Sequence, residues 1–137
     1  MQATLVHRAN IVLSSLEIHM QVEYEADKLY GTLMQIHEET FDAGLFEVSY
    51  HLLAAALHAA EEANDIERLT QVETLAKQRQ AEIDRTQPQH KVSSASANGR
   101  GNFALFTSLA AIAGAARGRI AADQAVARIR HEPSESH

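Results

Sequence analysis

Glu47, His51, His58 and Glu62 are the residues of this chain whose types and spacing come nearest to a chemistry. At about 100° per residue the four fall within about 60° of one another on a helix, so that Glu47 with His51 and His58 with Glu62 make two stacked i, i+4 pairs. Carboxylate oxygens and imidazole nitrogens so placed suit zinc, iron or manganese, and the interior of a helical bundle is where facing helices assemble such ligand sets. An upstream stripe of His19, Glu23, Tyr30 and His37 offers a second half for a site. Two considerations oppose the metal reading. A polar strip on a largely apolar helix also describes a solvent face, and i, i+4 Glu–His neighbours are ordinary surface pairs. His58 followed by Glu61 also runs in the reverse order to the Glu-x-x-His of carboxylate metal bundles.

A second set is basic. Residues 77–119 carry Lys77, Arg79, Arg85, Lys91, Arg100, Arg117 and Arg119 against Glu82 and Asp84 alone. Asn98-Gly99-Arg100-Gly101 ahead of a helix start would present backbone N–H groups to an anion, with Lys91 and Arg100 as the cations. The run lacks the lysine and spacing of a P-loop, and a surface loop that balances an acidic partner segment accounts for it as well. A third pattern, two helices in 103–131 turning at Gly118 with Gln124, Arg128 and Arg130 on the second, has the outline of a helix-turn-helix. The net charge of −6 weakens any phosphate affinity, so nucleic acid is not an expected partner. Nucleophile-elbow, His-Glu-x-x-His and dinucleotide-binding patterns are all missing from the sequence.

The elements that must position these residues read as helices. Phe41 to Ala63 has apolar residues over more than half of its helical circumference, and such a helix needs cover on several sides. Ser14 with Glu17 predicts a capping box, after which Ile18, Val22, Ala26, Leu29, Leu33 and Ile36 share one face of a first helix to about Glu38. Thr40 or Asp42 is expected to cap the second helix, and Asp65 the third, which carries Ile66, Leu69, Val72, Ala76 and Ile83 at the edge of the assembly and stops before Pro88. Residues 86–102 read as a long polar loop. A fourth helix follows from Asn102 with Phe103, Phe106, Leu109, Ala110 and Ala113 inward, ending near Gly118, and Ala125, Val126 and Ile129 then mark a short fifth. Residues 1–13 carry no clear pattern and 132–137 read as a tail.

The expectation is therefore one all-α domain over 1–137, a bundle of four main helices plus a short C-terminal helix, with a long polar loop between helices 3 and 4. With no cysteine, disulfides and thiolate metal sites are excluded. No secretory pattern or membrane-length apolar run is visible, so a cytoplasmic location is expected. Residues 1–67 hold 12 acidic against 2 basic side chains, whereas 68–137 hold 6 acidic against 10 basic. That polarity favours pairing of the halves within one chain or between copies. The leading functional expectation is a non-enzymatic module for self-association or partner binding, with a homo-oligomer held partly by close approach at Ala110, Gly114 and Gly118. Metal binding through the histidine strip stands second, and anion or nucleic-acid binding through the basic loop third.

Overall fold

The computed structural model describes residues 14–131, leaving aside the side chains of His19 and residues 21–24. Residues 1–13 and the 132–137 tail lie outside the described residues. Ser14 opens α1 (Ser15–Asp42) through the capping box that the sequence predicts: its hydroxyl accepts from the Glu17 N–H, and the Glu17 carboxylate accepts from the Ser14 N–H. The helix then continues past Glu38. Thr40 and Asp42 are thus part of α1 and do not cap the next helix; the Thr40 hydroxyl donates back to the carbonyls of Ile36 and His37. What ends α1 is Gly44, whose φ of +82° suits a residue without a Cβ. It lets the Gly44 N–H reach Phe41 O and the Leu45 N–H reach Thr40 O. Hence α2 (Phe46–Glu62) begins at Phe46 rather than Phe41.

Asn64, at φ +52°, closes α2 by the same geometry, with the Asp65 N–H on Ala60 O. Asp65 then caps α3 (Ile66–Thr86), accepting from the Arg68 N–H at 3.1 Å. This helix is not peripheral. It packs on α2 and on both later helices, and long side chains tie it to α1 through Asp27–Arg68, Tyr30–Gln71 and His37–Arg79. Its polar residues look superficial in sequence because Arg and Gln reach inward with their stems and pair at their tips.

The segment expected as a long loop is built. Asp84 accepts from the Ser94 N–H at 2.7 Å, the Ser94 hydroxyl at 2.6 Å and Gln80 Nε2 at 3.1 Å, while the buried Ser93 caps the six-residue α4 (Ser94–Gly99). Val92 and Ala97 enter the core. Partial burial raises the Asp84 carboxyl pKa, but the Ser94 and Gln80 donors outweigh it and hold the group below its ordinary value. Stability from this carboxylate is therefore present above pH ~4 and is lost as pH falls through the lower folded value. We expect Asp84→Ala to cost about 1–3 kcal/mol, with faster amide exchange and proteolysis in 88–100 before any loss elsewhere; unchanged exchange there would show that Asp84 does not hold α4.

Following Gly101, again at positive φ, α5 (Leu105–His131) runs as one helix. Gly118 neither caps nor turns it, since one interior glycine costs about 1 kcal/mol against a long alanine- and arginine-rich helix. The separate C-terminal helix and the helix-turn-helix outline are thereby corrected. Phe103 is also outside the helix and 83% exposed, whereas Phe106, Leu109, Ala110 and Ala113 are buried as expected, joined by Ala116 and Ile120. Ala110 and Gly114 do allow close approach, but within the chain: a Cβ on Gly114 would lie 3.1 Å from Glu73 Oε1 of α3.

Helices α1 with α2, and α3 with α5, are the two closest pairs, and α2 joins them. Where they meet, Phe106 packs edge-on to Phe41 and Tyr50, and a fully buried His37 completes the cluster. His37 Nδ1 donates to Ser49 O at 2.7 Å and Nε2 accepts from Arg79 Nε at 3.2 Å, which assigns one proton to a neutral ring. Arg79 lies 4.2 Å over the Phe41 ring. On α1 the buried line is Tyr30, His37 and Phe41; the predicted line is rotated outward from it, leaving Ile18, Leu29 and Ile36 exposed. No strand occurs among the described residues, and no helix there is long and apolar enough to cross a membrane.

Candidate interaction surface

Glu47, His51, His58 and Glu62 do share a strip of α2, and all four are exposed. Glu47 is occupied by Lys91, 2.9 Å away, whose hydrogen bond and charge hold the Glu47 carboxyl below the usual range. His51 stands edge-on to Tyr50, and His58 has Glu61 at 3.9 Å on its own helix. Among the described residues, no group of three or more His, Asp or Glu side chains is gathered as a metal-ligand set. His37, from the upstream stripe, is buried and committed to Ser49 and Arg79. The anion candidates are similarly engaged: Lys91 with Glu47, and the Arg100 guanidinium with the Lys91 carbonyl at 2.9 Å. A hollow of about 570 Å³ follows the α3–α5 seam, where Glu73 bridges Lys77 and Arg117 and Asp84 holds Ser94, while Gln80 Oε1 and Arg117 Nε are buried without a partner among the described residues.

The larger feature is at the ends of the two longest helices. Asp27 of α1 meets Arg68 at the start of α3, and Gln124 of α5 reaches the carbonyl of Asn64 in the α2–α3 turn at 3.4 Å. These contacts set Asp27, Asn64 and Gln124 at one level. Beyond it α1 continues through residues 26–15 for about 18 Å, and α5 through 125–131 for about 10 Å, at a 1.5 Å rise per residue. Both extensions leave the same end of the molecule, whereas α1 and α5 meet toward its other end, through the rings of His37, Phe41 and Phe106. The chain matches no protein-family model, no curated protein and no solved structure in the comparisons made with each.

Leu16, Ile18 and Met20 are exposed near the tip of α1, at 68%, 48% and 59%. Ile18, Leu29 and Ile36, spaced eleven and seven apart, deviate by only about 20° from a common line at 100° per residue, which sets three exposed apolar residues along the outside of the helix, with exposed Glu25 on the same line between Ile18 and Leu29. The interval from Ala26 through Leu29 and Leu33 to Ile36 is 3-4-3, the spacing with which two helices bury a seam between them. Ala26 and Leu33 are half-buried and Leu29 and Ile36 exposed, so the seam is partly filled from inside the chain. Val126 and Ile129 are exposed large apolar residues of the α5 extension. The sequence does contain this stripe; its periodicity alone assigns it to the core, because periodicity reports that a face is apolar and not which molecule covers it.

Proposed function

We propose that this chain is a non-enzymatic helical module that works by self-association, with α1 as the associating element. The observation that carries the reading is the exposed Ile18–Leu29–Ile36 stripe on a helix that outruns its own core. Soluble chains rarely leave so extended an apolar line in water unless another surface meets it. The opposite face of α1 fixes the stripe on the molecule: Tyr30, His37 and Phe41 anchor its second half, with Tyr30 donating to Gln71 at 2.9 Å. A rigid helix with a preformed apolar face loses little entropy on docking.

Leu29 is the residue to test, being 52% exposed at the middle of the stripe. We expect the wild-type chain to sediment above monomer mass at tens of micromolar, and Leu29→Glu to sediment as a monomer of unchanged helicity, a loss of at least about tenfold in association. A wild-type chain that stays monomeric at about 100 µM would overturn the proposal. A cytoplasmic setting and the absence of a membrane partner belong to the same reading.

A further inference from the structure

We infer that the occupant of this surface is a second copy, docked by exchange of the two extensions: the α5 end of each copy lies along the α1 end of the other, over the partner's α2–α3 turn. The inference rests on the self-association reading and specifies its geometry. Charge complementarity selects the partner. Residues 15–27 contain Glu17, Glu23 and Glu25 and no lysine or arginine, besides Asp27, which Arg68 already pairs. The turn between the two extensions adds exposed Glu62 and Glu67. Against this acidic end, the α5 extension closes with exposed Arg128, Arg130 and His131. Each set also suits the dipole of its own helix, so charge alone would not mark a contact. What marks it is the apolar residues that accompany the charges on both extensions, Leu16, Ile18, Met20 and Leu29 on one and Val126 and Ile129 on the other.

Geometry then decides between pairings. Two α1 helices laid together would oppose acidic ends to Glu38, Glu39 and Asp42 of the neighbouring α1, like charge on like. Two α5 ends would oppose arginines. An α1 end with an α5 end matches both charge and apolar residues, and because both extensions leave the same end of the molecule, one two-fold axis there makes both contacts at once. The shorter α5 end fits alongside the longer α1 end with its tip toward the partner's turn. Arg128 and Arg130 thus approach Glu17, Glu25, Glu62 and Glu67 of the other copy.

Charge reversal tests this. In the 137-residue chain, Arg128→Glu with Arg130→Glu, and separately Glu25→Lys with Glu62→Lys, are each expected to weaken dimerisation by about tenfold or more in sedimentation, with circular dichroism unchanged. All four positions are exposed, so the fold is not at stake. An equimolar mixture of the two reversed proteins is expected to recover association to within about threefold of wild type at low salt. Failure of the mixture to recover, or wild-type association in both reversed proteins, would overturn the exchange. If Leu29→Glu still dissociated the assembly in that case, self-association through α1 would stand; a wild-type monomer would remove both.

Discussion

Phe106→Ala is expected to destabilise the chain by about 3–5 kcal/mol, the usual range for truncating a fully buried phenylalanine. Phe106 is completely enclosed and lies 5.9–6.2 Å, centroid to centroid, from the rings of Tyr50, Phe41 and His37. It is therefore the point at which α1, α2 and α5 are in simultaneous contact. Removing its ring leaves a cavity that none of the three helices can fill without separating from the others, and it also takes the apolar edge away from His37. The midpoint of thermal unfolding should fall by roughly 10–20 °C for a domain of this size. Phe103→Ala supplies the control: that ring is exposed, and its loss should change stability by less than about 0.5 kcal/mol. Similar losses in both variants, measured by denaturant melts, would contradict the packing described.

The second large effect is an acid sensitivity centred on His37. Burial favours the neutral ring and lowers its pKa from the ordinary histidine value; the hydrogen bond to Ser49 opposes that, Arg79 of α3 lowers it further, and Glu38 and Asp42 on α1 pull weakly upward. The folded pKa thus lies below the unfolded one near 6.5, and the folded state binds fewer protons. The stability contributed by a neutral His37 is complete above pH ~7 and is lost as pH falls below ~6.5, with a slope approaching about 1.4 kcal/mol per pH unit until the folded value is passed. Protonation would also cancel the acceptor that Nε2 presents to Arg79 and set two cations 3.2 Å apart. His37→Gln should be less stable at pH 7.5 yet lack this share of the slope between pH 6.5 and 5. Because the other histidines remain in both proteins, the difference between their pH profiles isolates His37. Identical profiles would show that His37 does not titrate as its surroundings require.

These effects lie at residues that the sequence presents unevenly. Helix identity was legible wherever a side chain near in sequence supplies the signal, as at the Ser14–Glu17 box, the Asp65 cap and the Leu69–Ile83 stripe. Phe106 was legible as core because its i+3 and i+7 neighbours are apolar. Gly44 was the available signal for the end of α1, but the apolar run across Phe41 to Ala63 conceals it, since Phe41 is core from the first helix and Phe46 from the second. The 86–102 segment reads as loop by composition because what orders it is remote in sequence: Asp84 holding Ser94, and Gln80 donating to the Val92 carbonyl. The metal candidates show the opposite failure. Types and angular spacing place Glu47, His51, His58 and Glu62 on one strip correctly, but whether a second helix faces that strip is a tertiary fact, and here the strip is exposed. The same limit applies to α1, where one apolar line is split between an inner anchor and an outer face.

The order in which the helices pair bears on how the chain folds. Short reversals join α1 to α2 and α2 to α3, so those contacts close small loops at little entropic cost, and a helical chain built mainly from them belongs with the fast folders, in microseconds to milliseconds. The α3–α5 seam is different. Its two sides are separated by residues 87–104, and α5 leaves the ribosome after the four helices it follows. Until it arrives, Leu69, Val72, Ala76 and Ile83 have only part of their cover. During synthesis the nascent protein therefore displays the apolar face of α3 for as long as the stretch from Thr86 to the end of α5 at His131 takes to emerge, a matter of seconds at about 5–20 residues per second, and it is in that interval that this face is most exposed to misassociation.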